Sequence, residues 1–352
     1  MSNPLISIII PMYNCSQYIE KCISSALNQS YQNLEILCVD DGSIDNTYEV
    51  VQKINVSDPR VKLIRQRNMG VSGARNTGVY NSSGEYILFI DSDDWLPMDV
   101  CEIVIKQVTI YNYDAVFWPY NKVYDNEIIP QRIFEREQVF NDEASIRKNI
   151  HRRLFGPLDD ELKNPEKVDC LSTVHCKLYR SEIIKDENIK FEDLKIIGTS
   201  EDTIFNIDYF NFAKSALFIN KPLYFHNKSN TESITSVFKP KLKQKWDKLF
   251  LLMSERVDLD FDDESYFVAL QNRRALSLIG LGINEVLSTK NIFLKYRSIQ
   301  SLVRDHKLHS SISNLNLSNM PIHWRVFFVS ASLKITSLVL IQLLVIKFLI
   351  KK

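Results

Sequence analysis

The sequence predicts an α/β fold: a mostly parallel, twisted sheet flanked by helices, with a C-terminal helical extension. Three observations predict it. Short apolar runs alternate with helix-like segments through about the first hundred residues. Those runs are continuously apolar, as in strands covered on both faces. Beyond about residue 240 the strand-like runs give way to long segments with helical spacing.

Residues 5–10, LISIII, make the first strand. Ile19, Cys22, Ile23, Ala26 and Leu27 then recur at helical spacing. Residues 34–40, LEILCVD, form a second strand, and Asp41-Gly42 turns the chain. Asp45 is placed to cap the helix that continues through Val51. Residues 61–66 read as a third strand, 71–82 as a helix despite its glycines, and 86–90 as a fourth strand. Such a series gives parallel strands with helices on both faces. A helix near 98–111 and a strand over 114–120 follow. Residues 121–165 are polar and Pro-interrupted, with room for a hairpin and a short helix. Residues 175–186 read as a strand and a capped helix, and 217–226 as two short strands around Lys221-Pro222. The expected domains are 1–236, the α/β part; 237–321, a helical region; and 322–352, a basic apolar tail.

Composition narrows the function. Hydrophobic residues make up 45% and aromatic residues 11%, enough for a substantial core. The 43 Lys and Arg balance the 43 Asp and Glu, so no global charge draws the chain to nucleic acid. Cys15, Cys22, Cys38, Cys101, Cys170 and Cys176 form no CxxC pair and no zinc-type cluster. That pattern suits a reduced, cytoplasmic protein. The first residues lack the basic start of a secretory signal, and Pro11 interrupts their apolar run. From residue 322 onward there are no acids, but Arg325, Lys334, Lys347, Lys351 and Lys352 are present. The apolar run over 335–346 is too short to span a bilayer without taking Lys334 or Lys347 into hydrocarbon. The tail is expected to lie on an anionic membrane surface or to pack on the domain.

Ligands of open parallel sheets bind at the carboxyl ends of the strands. Here those ends read Pro11-Met12-Tyr13-Asn14, Asp40-Asp41-Gly42 and Asp91-Ser92-Asp93-Asp94. No G-x-G-x-x-G or P-loop sequence follows the first strand. Clustered carboxylates repel one another unless a cation or hydrogen-bond donors answer them. They hold phosphate through a divalent cation, not directly. The pattern therefore favours a nucleotide bound through metal.

ISIIIPMYN, SALNQSYQNLEILCVDDGSIDNT, NMGVSGARNTGV and GEYILFIDSDDWL together resemble bacterial glycosyltransferase family 2, inverting nucleotide-sugar transferases of the GT-A fold. The resemblance continues through CKLYRSEII, SEDTIFN and SITS, and covers roughly residues 5–236. It implies capsule, exopolysaccharide, lipopolysaccharide or teichoic acid synthesis at the inner face of the plasma membrane. The donor would be a nucleotide sugar, UDP-linked by default. The acceptor would be a growing or lipid-linked glycan.

Carried over by position, the resemblance places Pro11 and Tyr13 in the nucleobase pocket, with Asp41 accepting from the base and Asp40 shaping its loop. Arg75 reaches toward the nucleotide. Asp91, Ser92 and Asp93 form the DxD motif, with Asp91 near the ribose and Asp93 on Mn²⁺ or Mg²⁺. Asp94 assists, or caps the next helix. Asp202 matches the catalytic base, and Glu201 a neighbour that binds acceptor or orients the base. Ser233 and Thr235 match a distal motif that touches the diphosphate. The family often carries Tyr and Arg where this chain has FHNKSN, and the resemblance implies that His226 and Lys228 stand in for them.

Plainer readings accompany these. Asp40-Asp41-Gly42 also suits an Asx turn, Arg75 a structural ion pair, and Asp202 a helix N-cap. His151, His175 and His226 suit ordinary polar contacts, and the aromatics of 111–120 suit the core. The rival functions are a non-catalytic sugar-nucleotide or glycan-binding protein and a nucleotidyltransferase. A degenerate DxD would favour the first, and a basic Gly-rich loop after strand one the second.

Overall fold

A computed structural model describes residues 3–125, 127–229, 237–258 and 264–350. The chain divides into two compact units. The first comprises Met1–His151, Cys170–Leu194 and Glu201–Thr231. The second comprises Arg152–Asp169, Lys195–Ser200 and Glu232–Lys352. Segments 152–169 and 195–200, which the sequence reading puts with the α/β part, thus fall in the second unit.

In the first unit, strands β1 (Ile6–Met12), β2 (Leu34–Asp40), β3 (Val61–Arg65) and β4 (Tyr86–Phe89) alternate with helices α1 (Ile19–Leu27), α2 (Thr47–Ser57) and α3 (Gly70–Asn81). Every residue of β1, β2 and β4 is buried, as their unbroken apolar runs require. Helix α4 (Val100–Tyr111) leads to β5 (Ala115–Phe117), shorter than the strand expected over 114–120. The polar stretch after it holds β6 (Asn121–Tyr124), β7 (Glu127–Pro130), β8 (Gln138–Phe140) and a helical turn at Glu143–Ile146. Later come β9 (Lys177–Arg180), α5 (Ser181–Asp186), α6 (Glu201–Phe212), β10 (Ala216–Phe218) and β11 (Phe225–Asn227).

The main sheet has eight strands in the order β3-β2-β1-β4-β9-β5-β10-β8. The pairs β3–β2, β2–β1, β1–β4 and β5–β10 are parallel. Strand β9 runs antiparallel to both β4 and β5, and β8 antiparallel to β10. A second sheet has the order β11-β6-β7. The core of this unit lies between β1, β2, β4 and helices α1 and α4, around Ile8, Ile10, Cys22, Leu88 and Val104. Trp118 is buried in it, and Phe117 is buried against Phe140, Phe210 and Phe218.

Local chemistry explains two joints. Asp45 accepts from the Thr47 and Ser16 N–H groups, so it ties the entry of α2 to the loop after β1. Glycine lets α3 lie directly on the sheet. A Cβ at Gly78 would stand 2.3 Å from Ile9 Cγ2, too close for any real contact.

The second unit is helical: α7 (Leu242–Asp258), α8 (Glu264–Leu287), α9 (Ile292–Arg304), α10 (His306–Ser313), α11 (Ile322–Ser332) and α12 (Thr336–Ile350). The single expected tail is thus two helices. The two outlying segments belong here because of their contacts. Arg273 on α8 pairs with Asp169, and Trp246 Nε1 on α7 donates to Thr199 Oγ1 at 2.9 Å. Among the described residues no helix is long and apolar enough to cross a membrane.

Candidate active site

The parallel strands deliver their carboxyl ends side by side, since β1 pairs with both β2 and β4. Asp40 closes β2, fully buried, with Oδ1 taking the Ser43 N–H and Oδ2 3.2 Å from Arg65 Nε. Asp41 is also buried and accepts three donors: Gln66 Nε2 (2.7 Å), the Met69 N–H (2.8 Å) and the Gly70 N–H (2.7 Å). A carboxylate offers about four lone-pair positions, so one further donor can be accommodated. Pro11 is buried in β1, while Tyr13 stands 49% exposed just past it. Asn14, at φ 48°, accepts from the Ile44 N–H and joins the two strand ends.

Arg75 is the centre of the site. Helix α3 buries this guanidinium to 4% exposure. Its Nη2 lies 2.8 Å from Asp91 Oδ1, at the end of β4. Its Nη1 lies 2.6 Å from Asp202 Oδ1 and 3.3 Å from Glu201 Oε1, both in the first turn of α6. Arg75 thus pairs with three carboxylates rather than one. Acids in a first helical turn also complement the helix dipole. The helix begins at Glu201, so Asp202 does not act as its N-cap.

These charges shift one another. Burial would lower the Arg75 pKa, but Asp202, Asp91 and Glu201 outweigh it and hold the guanidinium charged. Burial pushes the Asp202 carboxyl up to about 7, with Arg75 pulling down and Glu201 and Asp91 pushing up. Burial also raises Asp91, but Arg75 and His175 prevail and leave it below its ordinary value. Burial and the neighbouring Asp91 and Asp93 charges push Asp94 well up.

Asp94 does not cap α4. It is buried and tied to the end of the second sheet, taking the Tyr224 hydroxyl (2.6 Å) and the Asn227 N–H (2.7 Å). Tyr224 in turn accepts the Asp91 N–H at 3.2 Å, so it links both ends of the acidic turn. His175 stacks on Tyr224 with ring centroids 4.6 Å apart, and its Nδ1 lies 3.6 Å from Asp91 Oδ2. Neither nitrogen of His175 makes a hydrogen bond, and burial holds its pKa down to about 3. His226 packs against Tyr120 and His175, with its own pKa lowered by burial to about 4. Lys228 gives its N–H to the Val123 carbonyl. Ser92 lies beside the Cys15 thiol. Ser233 and Thr235 lie outside the described residues. Sequence reasoning missed Tyr224, whose only signal was its place between two short strands.

A divalent cation would fit here only if shared between the acidic turn and a bound anion. Among the described residues no group of three or more His, Cys, Asp or Glu side chains is arranged to hold a metal alone. Asp93 stands half-buried on the acidic turn. Its hard oxygen suits Mg²⁺ or Mn²⁺ when a diphosphate supplies further oxygens.

A large mixed sheet with acidic strand ends, flanked by helices, defines the GT-A class of fold. The crystal structure of S. aureus TarS 1-349 in complex with UDP-GlcNAc shares it at a TM-score of 0.67 and 18% identity, covering 96% of this chain and 90% of that one. The family model described as Glycosyl transferase family 2 matches residues 7–186, and the chain belongs to that family. Relatives carry glycosyltransferase names, GlyA and EpsH among them. Glycosyltransferase GlyA of Streptococcus pneumoniae is 28% identical over 316 residues, 86% of this chain. The chain spans only 42% of GlyA's length. Putative glycosyltransferase EpsH of Bacillus subtilis is 27% identical over 325 residues, covering 89% of this chain and 87% of EpsH.

Proposed function

We propose that this chain is an inverting glycosyltransferase that moves a sugar from a nucleotide-linked donor, UDP-linked by default, to a hydroxyl of a growing or lipid-linked glycan. It would work peripherally at the inner face of the plasma membrane, in capsule, exopolysaccharide or lipopolysaccharide synthesis. One observation carries the reading: Arg75 draws Asp91 of the strand-end acidic turn and Asp202 of α6 onto a single guanidinium. Donor-holding and proton-accepting groups thereby face a common point.

The residues divide the work as follows. Pro11, Tyr13 and Asp41 receive the base, and Asp40 sets their loop. Asp91 and Ser92 meet the ribose side of the donor, and Ser233 and Thr235 the diphosphate. A divalent cation, Mn²⁺ or Mg²⁺, held by Asp93 with Asp91, would offset the charge of the leaving diphosphate. Asp202 takes the proton of the acceptor hydroxyl. A pKa near neutrality suits that role, because the group is substantially ionised yet basic enough to accept. Glu201 orients the base or the acceptor. The hydroxyl attacks the anomeric carbon from the face opposite the nucleotide, so the configuration inverts and no covalent sugar–enzyme bond forms.

Hydrolysis of a panel of nucleotide sugars, with the released sugar's anomer read by NMR, tests the reading. Turnover of one donor with inversion supports it. Release with retained configuration contradicts the single displacement. Tight donor binding with no turnover, in the presence of metal and acceptor glycans, would favour the non-catalytic alternative.

A further inference from the structure

The last two helices each expose a stripe of apolar side chains. On α11 and its C-cap residue, Ile322, Val326, Val329 and Leu333 are exposed and recur at intervals of four, three and four residues, a single helical stripe. On α12, Leu338, Ile341, Val345 and Phe348 do the same at three, four and three. Leu333 and Ile335, at the corner between the helices, are exposed as well.

These stripes are not the inward faces. Helix α12 packs on α8, α9 and α11 through Val339, Leu340 and Leu343, all buried. Leu343 is seated against Gly282, where a Cβ would stand 2.5 Å from its Cδ1. That contact fixes the rotation of α12, so its outer stripe cannot turn inward without losing this seat. A helix apolar on all sides is normally buried on all sides. Here one side is left open, and a contiguous exposed apolar surface of this kind marks an interaction site.

The charges decide the partner. Residues 322–352 contain five Lys and Arg and no Asp or Glu. A second copy of this surface would bring like charges together. A nucleic acid would leave the apolar stripes uncovered. An anionic bilayer surface answers both features: the stripes enter the headgroup–acyl boundary, and Lys334 and Lys347 meet lipid phosphates, while Arg325 donates to the Met320 and Ser318 carbonyls. We infer that the outer faces of α11 and α12 dock on an anionic lipid surface. This deepens the membrane-face location proposed above, and its test uses neither donor nor acceptor.

Co-sedimentation of the full chain with lipid vesicles tests it. Phosphatidylcholine vesicles containing phosphatidylglycerol should pellet the protein; phosphatidylcholine alone should not. Added salt should weaken the binding. Ile341→Asp with Val345→Asp alters only exposed positions and should lower partitioning about tenfold or more. Lys334→Gln and Lys347→Gln should each lower it about fivefold, and leave packing intact. Melting by circular dichroism checks that the variants are folded. Three results would each overturn the inference. One is no binding to either vesicle, or equal binding to both. Another is full binding by the double-Asp variant. The last is a lipid-free dimer that the double-Asp substitution dissociates. None of them would touch the transferase reading.

Discussion

Replacing Arg75 by Gln tests whether one guanidinium sets the proton affinity of the proposed base. Arg75 Nη1 lies 2.6 Å from Asp202 Oδ1, and its side chain is 4% exposed. A buried hydrogen bond to a charged group is worth about 1.5–3 kcal/mol, or about one to two pH units. Asp202 titrates at about 7 with Arg75 in place. Without it, the carboxyl should titrate at about 8–9. The sign follows from the role. A base acts when deprotonated, so kcat/KM should rise with pH through the Asp202 pKa and level off above it. The wild-type limb should centre near 7 and fall about tenfold per unit below it. The variant should lose about five- to fiftyfold at neutral pH and recover as pH rises past about 9. Initial rates of nucleotide release across this range, with a thermal melt to verify the fold, make the measurement. A variant limb that stays near 7, with activity lowered equally at every pH, would refute the tuning argument and leave Arg75 a ligand-binding role only.

Three further outcomes are expected. Asp202→Asn should bind UDP and metal normally yet transfer sugar at least about a hundredfold more slowly; near-wild-type transfer, with Glu201→Gln inactive, would move the base to Glu201. UDP binding measured by calorimetry should weaken both in EDTA and in Asp93→Ala, while the fold survives because the change lies in a strand-end turn; equal affinity in all conditions would contradict a shared cation. Gly78→Ala should lower thermal stability by about 1–2 kcal/mol net, since overpacking against Ile9 exceeds the helix-propensity gain; an unchanged melting temperature would show that α3 can shift away from β1.

What the sequence made legible was local. The runs LISIII, LEILCVD and YILFI carry their burial in their composition, and all three are buried strands. Acids placed at strand ends follow from the same pattern, because period and direction are short-range properties. Interactions across the chain were not legible. Arg75 meets Asp202 across 127 positions, and no periodicity links GARN to SEDT. Tyr224 reads as one aromatic among many, yet it joins Asp91 to Asp94 because β11 and its sheet come back to that turn. Asp94 looked equally able to cap a helix, and only the return of Asn227 decides against it. Lys334 interrupts the apolar tail in the sequence, but composition does not show that each side of it forms its own helix, Ile322–Ser332 and Thr336–Ile350.

The three bonds accepted by Asp41 have a consequence for how a ligand would be met. They fasten Gln66, Met69 and Gly70 to the end of β2 in the free chain. The freedom of that segment is therefore already lost when the protein folds, not when something lands beside it. A molecule arriving there finds a floor whose shape is set in advance, and little of its binding free energy is consumed in ordering the chain. Its affinity would then measure fit, and a poorly matched one would gain nothing from the loop moulding itself around it.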